Sequence, residues 1–248
     1  MTTLVLADVD VPGRLRVSSL TLSPGLTVVV GENGAGKSTL LDVLAGVLVP
    51  EDGSVAVDGV VLSSCTPRDR ARAIASLGQH DDAGLDVVVA ERIARGLAPR
   101  RGLHALYDHD AEALVAAVAG ELGLHEKVAQ RVDRLSGGQR RRAGIARALV
   151  DDQARVIVLD EPFSGLDAGA STLVVAALRR RAAAGVVVVV SVHDVATALA
   201  LGGRLLGLRA GEIVVDGALP AVLSAAAVVW GDVRVVVDGE WAGVLRRR

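Results

Sequence analysis

Aromatic side chains are nearly absent from this chain. One Tyr, one Phe and two Trp make up 2% of its 248 residues. The buried interior must therefore be packed with small branched side chains, mostly Ala and Val. Cysteine is scarcer still. Cys65 stands alone, so no intrachain disulfide can form, which suits a reducing cytoplasm. Neither charge sign dominates. Lys plus Arg number 27 against 29 for Asp plus Glu, a net charge of -2. That balance excludes a global basic field for holding nucleic acid, and a nucleic-acid role would need a local patch. Long apolar runs are missing too. The longest lies near Gly185 to Val192, well short of the about 20 residues that span a bilayer. No charged-then-apolar leader opens the chain, so no signal peptide is expected. The expectation is a chain soluble by itself, with any membrane role exercised through a partner. What the sequence does have is apolar content, 51%. That is enough for one sizeable α/β domain, or one with a small appendage.

Three short apolar runs set the organisation. Val28-Val29-Val30 ends at Gly31 and leads into a helical pattern from Lys37, with Leu40, Leu41, Val43, Leu44 and Val47 apolar. Val156-Ile157-Val158-Leu159 ends at Asp160, and Val186 to Val192 ends at His193. Continuous runs predict strands covered on both faces. Polar, chemically capable residues follow each one, and in open α/β sheets ligands bind at those strand ends. Residues 4–30 and 54–62 read as short alternating strands, predicting a small antiparallel sheet beside the main one. From about 84 to 134 the text is rich in Ala, Leu, Arg and Glu, and Asp110 to Leu122 carries amphipathic helix spacing. This predicts a helical segment inserted between sheet strands. Val233 to Val237 with an Asp238-Gly239 turn signal predicts a closing strand pair, and Arg246-Arg247-Arg248 reads as a solvated tail.

Three motifs carry chemistry. Gly31-Glu32-Asn33-Gly34-Ala35-Gly36-Lys37-Ser38, with Thr39 behind it, fits the Walker A pattern in full. Glycines let the backbone wrap around phosphates without Cβ clashes. Loop amides and the helix N-terminus direct positive charge at the anion. Lys37 adds a point charge and Ser38 a hydroxyl for Mg²⁺. Asp160-Glu161, after a buried strand, occupies the Walker B position. A carboxylate there is costly without a cation. Asp160 is therefore a candidate Mg²⁺ ligand, and Glu161 a candidate for polarising the attacking water. Leu135-Ser136-Gly137-Gly138-Gln139 precedes a strongly helical stretch, Arg140 to Leu149, and reads as a second anion site at a helix N-terminus.

That last segment resembles the signature of the ATP-binding cassette (ABC) family, and the other motifs follow in the family's order over about residues 1 to 220. Gln79, after the strand-like Ala73 to Leu77, matches the Q-loop. Ser164-Gly165-Leu166-Asp167 matches the D-loop, and His193 the switch histidine. The resemblance implies an ATP hydrolase with ATP and Mg²⁺ as ligands and a P-loop NTPase core with a mixed or parallel sheet. It also implies a flanking antiparallel β subdomain and an inserted α-helical subdomain. The expected division is core plus β subdomain over about 1–83 and 150–220, the helical segment with the signature over about 84–149, and a C-terminal extension over about 221–248. A head-to-tail dimer is implied, one chain's Lys37 loop sharing an ATP with Ser136, Gly137, Gly138 and Gln139 of the other. Gln79, Glu161 and His193 would serve catalysis, Ser38, Gln79 and Asp160 the metal, and Asp167 the nucleotide. One departure stands out. The family stacks adenine on an aromatic upstream of Walker A. The matching place here is near Val11, in Asp10-Val11-Pro12-Gly13, and no aromatic occurs before Tyr107. Weak adenine selectivity is the expectation.

Within the family, transporter ATPases, cassettes acting on nucleic acid or ribosomes, and other cytoplasmic ATPases are the alternatives. The resemblance implies two cassettes per chain for translation-type members and long coiled coils for chromosome-type members. This chain has one cassette and no sustained heptads. The reading is a transporter subunit at the cytoplasmic face of a membrane, without nucleic acid, energising separate permease subunits that the Gln79 to Pro99 region would face, with a substrate-binding protein as a further candidate partner. Thr66-Pro67-Arg68-Asp69-Arg70-Ala71-Arg72 and the ending from Leu223 through Trp230-Gly231-Asp232 resemble siderophore, haem and cobalamin importers. Glu126 to Gln139 is also similar to phosphonate importers, and an exporter stays open. His104 and His109 have no third ligand nearby, so no zinc site is expected. His80 receives no role.

Overall fold

The computed structural model describes residues 1–79, 86–102, 108–219, 229, 233–238 and 241–246. Two sheets share the first third of the chain. Strands β1 (Leu4–Val11), β2 (Leu15–Leu22), β4 (Asp52–Val57) and β5 (Val60–Val61) form an antiparallel sheet in the order β2-β1-β4-β5. Their burial alternates; in β2, for example, Leu15, Val17, Leu20 and Leu22 are buried. Strand β3 (Gly25–Gly31) leaves that sheet and enters a second one with β6 (Ile74–Leu77), β7 (Val156–Leu159), β8 (Val187–Ser191), β9 (Arg204–Arg209) and β10 (Glu212–Ala218). The order is β10-β9-β3-β8-β7-β6, parallel except for the edge strand β10. A separate antiparallel pair, β11 (Val233–Asp238) and β12 (Trp241–Arg246), closes the described chain. Arg246 is thus the last residue of a strand, in register with Val233, rather than part of a tail.

The valine runs fill two cores at once. Val28 and Val30, Ile157 and Leu159, and Val188 and Val190 point into one core. Val29, Val156 and Val158, and Val187 and Val189 point into the other. Side chains alternate along a strand, so a strand sandwiched between two apolar layers needs an unbroken apolar run.

Helix α1 (Lys37–Leu44) covers the second core with Leu40, Leu41, Val43 and Leu44. It stops short of Val47, which is 70% exposed and not part of the apolar face. Helix α2 (Pro67–Ala73) starts on a Thr66 cap, with Pro67 in its first turn. Then come α3 (Val89–Ala94), α4 (Ala98–Arg101), α5 (His109–Glu121) and α6 (Gly137–Leu149), inserted between β6 and β7. Helix α5 is capped by Asp108 and starts at His109, one residue before the expected start of the pattern. The inserted helices share one continuous core with the sheet: Ile93, Val115, Val118, Ile145 and Leu149 pack with Val28, Ile157 and Val188. Helices α7 (Ala168–Ala183) and α8 (Val195–Leu201) complete the layer, capped by Asp167 and Asp194.

Between α3 and α4 the backbone comes very close to α6. A Cβ added at Gly96 would lie 2.0 Å from the Arg147 carbonyl oxygen and 2.6 Å from Val150 Cγ1. Gly96→Ala is therefore expected to lower the unfolding free energy by about 1–3 kcal/mol, the usual cost of overpacking. Urea denaturation checks this, and an unchanged midpoint would show that the helices can separate freely.

Candidate nucleotide site

The phosphate loop is built by backbone conformation. After β3 the chain takes left-handed turns at Gly34 (φ 80°) and Gly36 (φ 100°), where a side chain would be strained. A Cβ on Gly36 would also lie 2.7 Å from the Arg14 carbonyl oxygen, so the β1–β2 turn rests directly on the loop. Gly36 is the N-cap of α1 and offers no side chain to the first-turn amides. Those N–H groups are left for an anion. Lys37 is 5% exposed, and its Nζ donates to the carbonyls of Gly31 (2.9 Å) and Glu32 (3.1 Å). Burial holds its pKa below the ordinary 10.5, opposed by the charges of Glu161 and Asp160. A phosphate would restore the stabilisation that burial removes from this ammonium. Gly31 and Ala35 are buried beneath the loop, while Glu32 is exposed.

Asp160 follows β7 and is 6% exposed. Ser191, the last residue of β8, donates from Oγ to Asp160 Oδ1 at 2.5 Å and accepts from the Glu161 N–H at 2.7 Å. The same buried charge acts at a distance: burial, and then Asp160, push the Asp42 carboxyl above its usual pKa. Glu161 has the left-handed φ of 49°. Its Oε1 lies 2.6 Å from His193 Nε2, and its Oε2 accepts from Gln79 Nε2 at 3.2 Å. Arg141 of α6 donates to the carbonyls of Gly78 (3.1 Å), Gln79 (3.2 Å), Glu161 (2.9 Å) and Asp160.

These groups line a cleft of about 750 Å³ that joins Asn33, Gly34, Gly36, Lys37, Ser38 and Thr39 to Gln79, Glu161 and His193. Gly13, the last residue of the Asp10–Gly13 stretch expected near the base, lines it as well, and so does Arg14; Val11 does not. Val11 ends β1, and the turn after it carries the chain to the cleft two residues later. No Phe, Tyr or Trp occurs among the described lining residues.

The signature lies outside this cleft. Ser136 Oγ accepts from the Gln139 N–H (3.2 Å), and Gln139 Oε1 accepts from the Ser136 N–H (3.0 Å), a closed capping box. The Ser136 hydroxyl proton remains available for donation outward. Gly138 is crowded by the D-loop, since a Cβ there would lie 3.0 Å from the Gly165 carbonyl oxygen. Asp167 spends its carboxylate on the α7 cap, accepting from the Ala170 N–H at 2.7 Å. His80 and His104 lie outside the described residues.

Sequence reasoning missed Ser191, Arg141 and Arg14. A signal existed for the first: Ser191 is the one polar residue inside the Val186–Val192 run.

With this geometry in place, comparison with known proteins is decisive. The ABC transporter family profile matches residues 15–164, more than half of the chain. The chain belongs to the ABC transporter family. Among its relatives, the ferric enterobactin transport ATP-binding protein FepC of Escherichia coli is 32% identical, over 93% of this chain and 92% of that protein. The thiamine import ATP-binding protein ThiQ of Shigella flexneri is 36% identical, over 86% and 91%. The hemin import ATP-binding protein HmuV of Nocardia farcinica is 39% identical, over 80% and 68%. A nucleotide-free ATP-binding cassette from an ABC transporter superposes with a TM-score of 0.78 at 21% identity, covering 94% of this chain and 96% of that one. That likeness establishes the cassette fold. The cassette is an ATP-binding ATP hydrolase.

With no aromatic among the described residues that line the cleft, adenine is expected to have little to set it apart from other bases. Aromatic stacking contributes about 1–3 kcal/mol per base. ATP and GTP are therefore expected to bind with Kd values within about fivefold of each other. Titration with fluorescent nucleotide analogues checks this; a strong preference for ATP would show that the base is recognised by other groups.

Proposed function

We propose that this cassette is the ATP-hydrolysing subunit of an importer, working at the cytoplasmic face of a membrane beneath separate permease subunits. The observation that carries the catalytic part is the convergence on Glu161. Gln79 and His193 both hold its carboxylate at the mouth of the Lys37 loop. In this reading Lys37 and the loop amides grip the β- and γ-phosphates. Glu161 orients water in line with the γ-phosphate, and His193 contacts that phosphate as the carboxylate moves to the water.

Ser38, Gln79 and Asp160 fit a magnesium ion. A hydroxyl, an amide oxygen and one carboxylate are hard oxygen donors, and Mg²⁺ commonly takes one or two carboxylates and completes its shell with phosphates and water. Gln79 meets Glu161 through Nε2, which keeps Oε1 for a cation. When bound, Mg²⁺ neutralises charge on the β- and γ-phosphate oxygens. The cleft of one chain lacks the signature, so Ser136, Gly137, Gly138 and Gln139 of a second copy would close it, with Asp167 in the D-loop between the sites. Head-to-tail closure on ATP and reopening after hydrolysis would then supply the two states that drive a permease. The cassette titled as a post-hydrolysis dimer with ADP and Pi superposes with a TM-score of 0.77. No helix among the described residues is long and apolar enough to cross a membrane, so translocation falls to partners.

Import is supported by the names of relatives for iron siderophore, thiamine and haemin. A metal-chelate substrate is the finer reading. The siderophore relative matches 93% of this chain, against 86% for the thiamine one. Phosphonate import is the second reading, resting on a Cupriavidus metallidurans relative at 34% identity. A substrate-binding protein would deliver either cargo. Co-purification with the permease, followed by binding assays with ferric chelates and phosphonates, separates the two; a drug-exporting permease would end both.

Glu161→Gln is expected to keep ATP binding while turnover falls at least about 100-fold, measured by phosphate release and by nucleotide titration. Native turnover in that variant would remove Glu161 as the base. Ser136→Arg is expected to leave binding to the single chain intact and to abolish ATP-induced dimers in light scattering. Normal dimerisation would argue against head-to-tail closure.

A further inference from the structure

The geometry points to Ser191 and Arg141 as positioning residues, a two-sided clamp that holds the Glu161 peptide in the orientation from which its carboxylate serves the reaction. This rests on the role proposed for Glu161. The conformation needs holding. Glu161 is a non-glycine residue at φ 49°, a region that a Cβ makes unfavourable. Rotation back to ordinary backbone would swing the side chain away from His193 and Gln79.

Both polar ends of the residue are tied. Its N–H donates to Ser191 Oγ at 2.7 Å, and its carbonyl accepts from Arg141 at 2.9 Å. Ser191 is fully buried, and packing alone gives no reason for a serine there, since valines precede it along β8. Its hydroxyl uses both of its capacities, the proton toward Asp160 Oδ1 and a lone pair for the Glu161 amide. No apolar side chain can do this, and without it the buried Asp160 and the half-buried Glu161 each lose a hydrogen bond. The serine lies two residues before His193, so one strand end fixes both the backbone of Glu161 and a contact of its carboxylate.

Arg141 works from the other side. It is half-buried on α6, five residues beyond Ser136. The same guanidinium holds the carbonyls of Gly78 and Gln79. A displacement of the signature helix therefore pulls on the Gln79 segment and on the Glu161 peptide together. The clamp makes the competence of Glu161 depend on where α6 sits.

The test uses the full chain and a matched pair of variants. Ser191→Thr and Ser191→Val add the same bulk and differ in the hydroxyl. With the clamp, Ser191→Thr keeps kcat within about threefold of native, while Ser191→Val loses about 10- to 100-fold in kcat with KM for ATP within about threefold. Arg141→Met loses kcat in the same way, and Arg141→Lys recovers part of it. Equal kcat in the threonine and valine variants overturns the proposal, and so does a rise in KM that accounts for the loss. Should Ser191→Val fail to fold, Arg141→Met decides, because native kcat there also overturns the clamp. Glu161→Gln is run alongside. If it hydrolyses ATP at the native rate, the role of Glu161 falls. If it is inert while the threonine and valine variants agree, the clamp alone falls.

Discussion

Four neighbouring parallel strands, β3, β8, β7 and β6, end at one edge of the central sheet, and every group at the site depends on that alignment. Their ends deliver the Lys37 loop, Ser191 with His193, Asp160 with Glu161, and Gln79. These pieces come from positions up to 156 residues apart in the numbering, between Lys37 and His193. Parallel strands with covered faces must be apolar throughout, so the polar residues concentrate where the strands stop. Valine suits this arrangement well. It is stiff at χ1 and packs compactly on a pleated surface, which lets two cores be filled almost without aromatics.

The two helix N-termini of the nucleotide machinery are treated in opposite ways. Helix α1 begins at Gly36, which caps nothing, and its first amides stand open beside Lys37. Helix α6 begins at Ser136 inside a closed capping box. An uncapped N-terminus leaves orphan donors and needs a ligand or water. A capped one is content alone. The loop proposed to grip phosphate is thus left without a side-chain cap, while the signature helix is capped from within its own chain. Lys37 differs from the open amides, since its Nζ is bonded to its own loop carbonyls, and burial lowers its pKa from the ordinary value.

Much of this was legible in the sequence, for reasons that differ by element. Strands β3 and β7 can be read because a doubly covered strand has few alternative spellings, and Ser136 marks the start of its helix locally. Long-range polar pairing is harder. Ser191 meets Asp160 across 31 positions, and Arg141 meets Gly78 across 63. Nothing in either local pattern encodes those partners. The base position was legible only as a stretch, Asp10 to Gly13, for a related reason. Val11 ends β1, and only the tertiary placement of the following turn against Gly36 shows that Gly13 and Arg14 reach the cleft. Arg246 looked like a charged tail because strand pairing with Val233 leaves no periodic trace in so short a segment.

Scarcity of aromatics links the core to the site. Among the described residues the cleft holds no stacking ring, and the nucleotide affinity expected from it comes mainly from phosphate contacts, which are shared by all nucleoside triphosphates. The carbonyl of Arg14 lies against Gly36 and Gly211 through its backbone, so the turn that should present a base platform instead braces the phosphate loop. Arg14 is exposed and is one of the residues lining the cleft, and a guanidinium can stack on any base by the attraction between a cation and a π face. The expectation is discrimination that is weak at the base and strong at the phosphates. For a cassette whose output depends on when the γ-phosphate is present or gone, the phosphate end is where selectivity matters. There Lys37, Gln79, Glu161 and His193 converge within one cleft.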